Sequence, residues 1–260
     1  AKTTQGLLIF TTLGNVIYRP IHELADVRWK DIGEHLSQSL SNFASNEKIL
    51  YVRLVDQFEG ETFVVVTKNG QVKQVDLASF TPWRTYRSKS AVYAKMKGED
   101  DEVVLICPVE FADLMVISEQ GYALRFNLDD VPILGNKAAG VKAMNLKKGD
   151  VIKAAFFVTS NSWYLLTQRG FIKRMKTEDI PVTSRANRGL QVLRTLKTNN
   201  HTVIAAGLVN ATADLSAVSK EVDLFTSANP TKETTPQPQI LEVASVDGEL
   251  HDVVLTDLTL

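Results

Sequence analysis

The chain has 260 residues, 44% of them hydrophobic, and a formal net charge of −1 from 29 Lys and Arg against 30 Asp and Glu. That suffices for an ample core and fits either two ordinary domains or one closed repeat array. No apolar run approaches the roughly 18 residues needed to cross a membrane, and the start at Ala1 has neither a basic n-region nor a signal h-region, so a soluble cytoplasmic chain with no membrane partner is expected.

The first predicted element is LLIFTTLG, ending at Gly14: an apolar quartet, a Thr or Ser, two variable residues and a Gly. It recurs as FVVVTKNG at Gly70, LMVISEQG at Gly121 and WYLLTQRG at Gly170, at intervals of 56, 51 and 49 residues. A second pattern, nine residues ending in Val, recurs as EKILYVRLV at Val55, DEVVLICPV at Val109, DVIKAAFFV at Val158 and HTVIAAGLV at Val209, at intervals of 54, 49 and 51. Two patterns sharing one period of this size mark a repeat architecture, in which each unit buries its apolar face against its neighbours. The repeats divide a single domain, 1–260, into units of about 1–60, 61–110, 111–160 and 161–210 and a divergent 211–260. The first repeat is under way by residue 7 and no Met precedes it, which leads us to expect a domain of a longer polypeptide.

Within a unit, the quartets are short, rich in β-branched and aromatic residues, and closed by a Gly turn, so they read as strands. A returning strand follows each Gly, as in QVKQVDL at 71–77 and FIKRMKT at 171–177, which makes one hairpin. Polar turns at Gly98-Glu99-Asp100, Lys147-Lys148-Gly149 and Thr198-Asn199-Asn200 predict a second hairpin per unit. Helical signals are few: a short turn is expected within Glu34–Ser41, and no segment sustains a 3.6-residue apolar period beyond two turns. Four strands per unit is the content of a propeller blade, and circular closure would remove exposed edges. The expected fold is therefore all-β and propeller-like, with about five four-stranded blades. In the last unit, EVDLFTSAN at 221–229 imitates the Thr-x-x-Gly hairpin with Asn229 in place of Gly, and a 228–239 loop follows. LEVASVDGELHDVVLTDLT at 241–259 can be laid over 114–132, with Gly248 on Gly121, which leaves a sixth, partial blade open.

Nucleotide-binding, zincin and hydrolase motifs are absent. Cys107, the single cysteine, lies in an apolar run and reads as a small buried hydrophobe. His22, His35, His201 and His251 lack metal-ligand spacing and read as turn or surface residues, and Glu99, Asp100, Asp101 and Glu102 as a solvated turn. No catalytic or metal site and no cofactor are expected in this domain.

Charge is distributed unevenly. Residues 161–210 hold 8 basic and 2 acidic side chains, and residues 211–260 hold 2 and 9. Basic residues recur at equivalent places. Lys73, Arg125, Lys173 and Arg174 follow the hairpin Gly; Arg84, Arg87 and Lys89, then Lys137 and Lys142, then Arg185 and Arg188 lie on the connections. Residues 81–97, TPWRTYRSKSAVYAKMK, carry five basic and no acidic residues among Trp83, Tyr86 and Tyr93. Such stretches hold phosphates by charge pairing and hydrogen bonds without reading bases. The competing expectation is a propeller used as a protein-interaction platform without DNA binding, its acidic last sector docking a basic partner.

The repeat of an apolar quartet with Thr-x-x-Gly-x-apolar-Lys-Arg, a Gly-containing connection and a Leu-x-x-x-Asp hairpin resembles the C-terminal β-pinwheel domain of the A subunits of bacterial type IIA topoisomerases, DNA gyrase and topoisomerase IV. TQRGFIKRMKTEDIP at 167–181 and GVKAMNLKKGDVI at 140–152 carry the resemblance most closely. Gyrase has a Gln-Arg-Arg-Gly-Gly-Lys-Gly box on its first blade. The matching stretch here, RWKDIGEHLSQ at 28–38, shares only Gly33, with Asp31 and Glu34 in place of cations, and SRANRGLQ at 184–191 is a faint echo. The resemblance thus implies the topoisomerase IV type and does not carry over gyrase-type wrapping. It implies a monomeric DNA-binding β-pinwheel that bends duplex DNA and assists segment selection. The nucleophilic tyrosine would lie in the N-terminal part of the same polypeptide, and the ATPase, with its ATP and Mg, in the B subunit of the topoisomerase IV holoenzyme. The location implied is the bacterial nucleoid.

Overall fold

Each Thr/Ser-x-x-Gly signature closes a β-hairpin in the computed structural model, which describes residues 1–209 apart from Glu34, Lys197 and Asn199, and four short strands beyond them. The carbonyl of Thr11, Thr67, Ser118 or Thr167 accepts from the N–H of the Gly three residues on, at 2.9–3.2 Å. Its hydroxyl accepts from the N–H of the next residue, at 3.2–3.4 Å. The four glycines sit at φ of 77–83°, in the left-handed region that a Cβ disfavours. The motif is therefore a turn locked by its own first residue.

In chain order the strands are β1 (Gly6–Thr11), β2 (Asn15–Pro20), β3 (Ile49–Val55), β4 (Thr62–Thr67), β5 (Gln71–Asp76), β6 (Ala91–Val92), β7 (Val103–Pro108), β8 (Asp113–Ser118), β9 (Tyr122–Asn127) and β10 (Val141–Lys142). They continue with β11 (Ile152–Phe157), β12 (Ser162–Thr167), β13 (Phe171–Lys176), β14 (Leu190–Gln191), β15 (Val203–Val209), β16 (Asp214–Val218), β17 (Asp223–Ser227), β18 (Ile240–Glu242) and β19 (Val254–Asp257). Strands β4, β8 and β12 are buried from their second residue onward, which explains why the quartets are continuously apolar rather than alternating. One helical turn, Leu36–Ser39, lies within the expected 34–41 region, capped by His35 accepting from the Ser37 N–H.

The expected second hairpin within each unit does not form. The strand of the nine-residue pattern instead pairs antiparallel with the first strand of its own hairpin: β3 with β1, β7 with β4, β11 with β8 and β15 with β12. The residues between hairpin and polar turn are lent backwards, so that β6 pairs with β2, β10 with β5, β14 with β9 and β18 with β13. The lent strands are short because the chain then curls over the receiving turn. The N–H groups of Tyr93 and Ala94 both reach the Gly14 carbonyl at 2.8 and 3.2 Å, and those of Val192 and Leu193 both reach that of Gly121 at 2.8 and 3.3 Å. Gly140 and Gly189 make the close approach; a Cβ on them would lie 2.6 Å from the Val72 carbonyl oxygen and 2.3 Å from that of Ala123.

Beyond Val209 the plan repeats. Strands β16 and β17 form the hairpin, β18 is lent to β13, and β19 returns to β16. This corrects the expected alignment of the last unit: 223–227 is the second hairpin strand, while 240–242 and 254–257 are the lent and returning strands, so 241–259 does not begin a further blade. Asn229, the 228–239 loop and Gly248 lie outside the described residues.

The chain forms two compact units, residues 1–110 with 131–142, and residues 111–130 with 143–260. The first contains the sheets β3-β1-β2-β6 and β10-β5-β4-β7. Between them, the Phe10 ring lies 5.6 Å from Phe63 and edge-on at 5.2 Å to Phe80 and 5.3 Å to Tyr93. Each such pair contributes about 1 kcal/mol beyond its buried area. The Tyr93 hydroxyl donates to the Thr11 carbonyl at 2.9 Å, and burial pushes its pKa well up. The second unit contains β11-β8-β9-β14, β15-β12-β13-β18 and β17-β16-β19. Its core packs Met115, Ile117, Trp163, Leu165, Leu193 and Val203.

The polar turns hold a further correction. Asp101, expected in a solvated turn, is 2% exposed; it accepts from the N–H groups of Asn69 and Lys97, both at 2.9 Å, and from the Thr67 hydroxyl at 3.2 Å. Glu99, Asp100 and Glu102 are exposed as expected. Glu47 and Asp150 are buried at the equivalent turns; the first accepts from the Thr11 hydroxyl and the second from the Gln120 N–H at 3.0 Å. His201, also read as an ordinary turn or surface residue, is half-buried with Nδ1 3.2 Å from the Thr167 hydroxyl. These side chains tie each returning strand to its hairpin turn.

Candidate nucleic-acid interface

Each lent strand is the end of a longer strap, and three straps carry most of the basic candidates: residues 81–92 and 131–142 in the first compact unit, and 180–191 in the second. The 81–92 strap is firmly set. Trp83 Nε1 donates to the Lys89 carbonyl at 3.1 Å, and the Arg19 guanidinium donates to the carbonyls of Tyr86 at 2.7 Å and Arg87 at 3.3 Å. Arg84, Arg87 and Lys89 are all exposed on this frame. Arg87 forks onto Glu23, with contacts of 2.6 and 3.1 Å, and Tyr86 donates to the same carboxylate at 2.9 Å. Those donors, Arg87 first, hold the Glu23 carboxyl down at about 2.

On the 131–142 strap, Lys137 and Lys142 are exposed. Lys73, grouped with them from the sequence, is not at the surface. It is 1% exposed, and its Nζ donates to the carbonyls of Gly135 at 2.9 Å and Asn136 at 3.1 Å. Burial draws its pKa down to about 8. Lys73 therefore holds the turn that presents Lys137. On the 180–191 strap, Arg188 is exposed, while Arg185 is half-buried and donates to the Asp130 carbonyl at 2.8 Å.

The remaining strand residues also turn inward. Lys173 is half-buried, donates to the Val192 carbonyl, and has its pKa lowered by burial. Arg125 pairs with Asp113 at 2.6 Å, both side chains being 21% exposed. Arg174 is half-buried and donates to the Ser162 hydroxyl at 3.3 Å. The eleven candidates thus split into an outward group, Arg84, Arg87, Lys89, Lys137, Lys142 and Arg188, and an inward group, Lys73, Arg125, Lys173, Arg174 and Arg185. The outward residues all lie on straps; four of the five inward ones lie on hairpin strands flanked on both edges.

Sequence reasoning missed two features of the first unit. One is Glu23, whose carboxylate lies against a candidate phosphate ligand. The other is the loop 24–33, where Trp29 and Ile32 are 97% and 98% exposed. Asp31 closes that loop tightly, accepting from the Arg28 N–H at 3.1 Å and from its guanidinium at 2.9–3.2 Å. The apolar pair was visible in RWKDIG, but nothing local distinguished it from a core segment.

The family model of the DNA gyrase C-terminal domain, a β-propeller, matches residues 7–56, 61–106, 112–159 and 161–210. The A subunit of DNA topoisomerase 4 from Streptococcus pneumoniae is 54% identical over 261 residues, covering 100% of this chain and 30% of that protein. The chain thus spans about a third or less of the curated relatives it matches. The crystal structure of the C-terminal domain of DNA topoisomerase IV superposes with a TM-score of 0.82 at 30% identity, covering 98% of this chain and 80% of that one. The DNA gyrase A C-terminal domain superposes with a TM-score of 0.74 at 19% identity, covering 100% and 84%, a likeness of fold. With four repeats matched to the model and a solved relative over nearly its whole length, the chain belongs to the DNA gyrase C-terminal domain family and has its all-β pinwheel fold.

Proposed function

We propose that this chain binds duplex DNA through its phosphates, without base readout, and bends it, helping an ATP-dependent topoisomerase IV to select or present a DNA segment for decatenation and supercoil relaxation. The observation that carries the reading is the division of labour on the straps. Arg84, Lys89, Lys137 and Arg188 project outward from equivalent connections, while Lys73 anchors one of those straps from beneath and Arg185 ties another to the Asp130 carbonyl. Cations on a preset frame lose less side-chain freedom on meeting phosphates than cations on loose loops. The chemistry would reside elsewhere: strand cleavage in the N-terminal part of the same polypeptide, and ATP hydrolysis with Mg in the B subunit of topoisomerase IV. This domain would be the accessory DNA holder of that assembly, in the cytoplasm at the nucleoid.

A second reading, a protein-interaction platform, is favoured by the near-zero net charge and by the exposure of Trp29 and Ile32. One experiment separates the two. Binding to a random-sequence duplex is measured from about 50 to 200 mM salt, where each phosphate contact adds about 0.9 to the log–log slope. Several outward cations at work give a slope of about 4 or more. Absence of binding at the lowest salt would reject the DNA reading and leave the platform.

A further inference from the structure

The anion site on the 81–92 strap already contains an anion. Glu23 ends a 3-10 turn, Ile21–Glu23, just after β2, and lies 64 residues before Arg87 in the chain. Its carboxylate takes both arms of the Arg87 fork and the Tyr86 hydroxyl, three donors converging on one oxyanion. A guanidinium fork accepts carboxylate and phosphate in the same geometry.

The donors are held by groups other than Glu23. The Tyr86 ring packs edge-on to Tyr18 at 5.2 Å, and the Arg87 guanidinium lies 5.5 Å from the centre of the Tyr86 ring. Arg19 fixes both carbonyls from behind. Glu23 can therefore leave without dispersing the site. Exposure also differs between the partners: the side chain is 73% exposed for Arg87 and 22% for Glu23, so the guanidinium is open to an incoming phosphate.

We propose that Glu23 is an internal phosphate mimic, which occupies the Arg87–Tyr86 anion site in the DNA-free chain and is displaced by a backbone phosphate when a duplex binds. The inference rests on the DNA-binding reading above and adds a brake to it. Exchange of one anion for another at Arg87 is nearly balanced, and the released carboxylate recruits a cation from solution. Arg87 therefore contributes little to affinity or to counterion release while Glu23 is present. The strap's unshared cations, Arg84 and Lys89, make first contact, and Arg87 joins only where a phosphate is brought close enough to compete.

The test uses the 260-residue chain and its Glu23→Gln, Arg87→Gln and double variants, titrated with a random-sequence duplex over the same salt range, with melting temperatures recorded. Glu23→Gln is expected to bind about fivefold tighter at the low end of that range, the upper end for losing a surface ion pair. Its slope should steepen by about 0.9, one phosphate's worth. Arg87→Gln is expected to cost less than about twofold in the parent and about fivefold in the Glu23→Gln background. Equal or weaker binding by a normally melting Glu23→Gln, with an unchanged slope, would overturn the proposal. If Glu23→Gln melts lower, Arg87→Gln in the parent decides alone: a small effect supports the mimic, and loss of a full phosphate's slope refutes it. A parent that fails to bind at the lowest salt rejects the DNA reading itself, a result distinct from a parent that binds and a Glu23 variant that changes nothing.

Discussion

Lys73 and Lys173 stand third after the hairpin glycine, and Arg125 and Arg174 stand fourth, so the two pairs point to opposite faces of their strands. In neither case is that face open. At the third position Lys73 runs beneath a strap, where its ammonium meets the carbonyls of Gly135 and Asn136, and Lys173 meets the carbonyl of Val192; the fourth position meets Asp113 or Ser162 across the hairpin. Lys137, by contrast, is an exposed strap residue. The pair Lys73 and Lys137 therefore tests whether placement or mere charge governs binding. Lys137→Gln should lower the salt slope of DNA binding by about one. Lys73→Met, which keeps the apolar stem, should leave the slope where it is, although it frees the carbonyls of Gly135 and Asn136. Equal slope changes in the two variants would show that the inward lysine reaches phosphate after all.

At the scale of the element, the hairpins were legible because their chemistry is local. Thr or Ser supplies a carbonyl and a hydroxyl, and Gly supplies φ near +80°, all within five residues. The straps were not legible, because Ala91–Val92 and Leu190–Gln191 are two-residue strands whose partners lie 67 to 77 residues earlier in sequence, and no periodicity shows in two residues. The same limit applies to the candidate site. The connection residues Arg84, Lys89, Lys137 and Arg188 could be singled out from composition, but the fate of Lys73 depends on the carbonyls of Gly135 and Asn136, 62 and 63 residues further on, and that of Lys173 on the carbonyl of Val192, 19 residues further on. The docking of strap on turn makes a definite prediction. At Gly121, φ is +79° and a Cβ would lie 2.5 Å from the Leu193 Cβ, whereas at Gly149 φ is +78° with nothing within 4 Å. Gly149→Ala should cost about 1 kcal/mol, the left-handed penalty alone. Gly121→Ala should cost about 3 kcal/mol, because the strap must also move. Thermal melts of the two variants decide it; equal costs would mean that the strap yields freely and does not lock the turn.

For the whole molecule, backward lending makes each of the first four hairpins a receiver and the unit that follows it a donor. Sheet β15-β12-β13-β18 takes its last strand from residues 240–242, so the divergent tail completes the most basic unit while carrying 9 of the 30 acidic residues in its own fifty. If the chain binds DNA as proposed, those two roles pull in opposite directions on it and can be separated. Truncation after Val209 removes the acidic charge but also strips β18 from β13, leaving an unpaired strand edge that invites self-association. Neutralising the nine tail acids to Asn and Gln in the full chain removes the charge and keeps the strand. The neutralised chain should bind duplex DNA about tenfold tighter at about 50 mM salt and lose most of that gain by about 200 mM, as long-range charge effects are screened. The truncated chain should melt lower and associate on a sizing column. If neutralisation leaves affinity unchanged across the salt series, the tail's acids do not act on the DNA surface, and the contribution of residues 211–260 is the strand they lend.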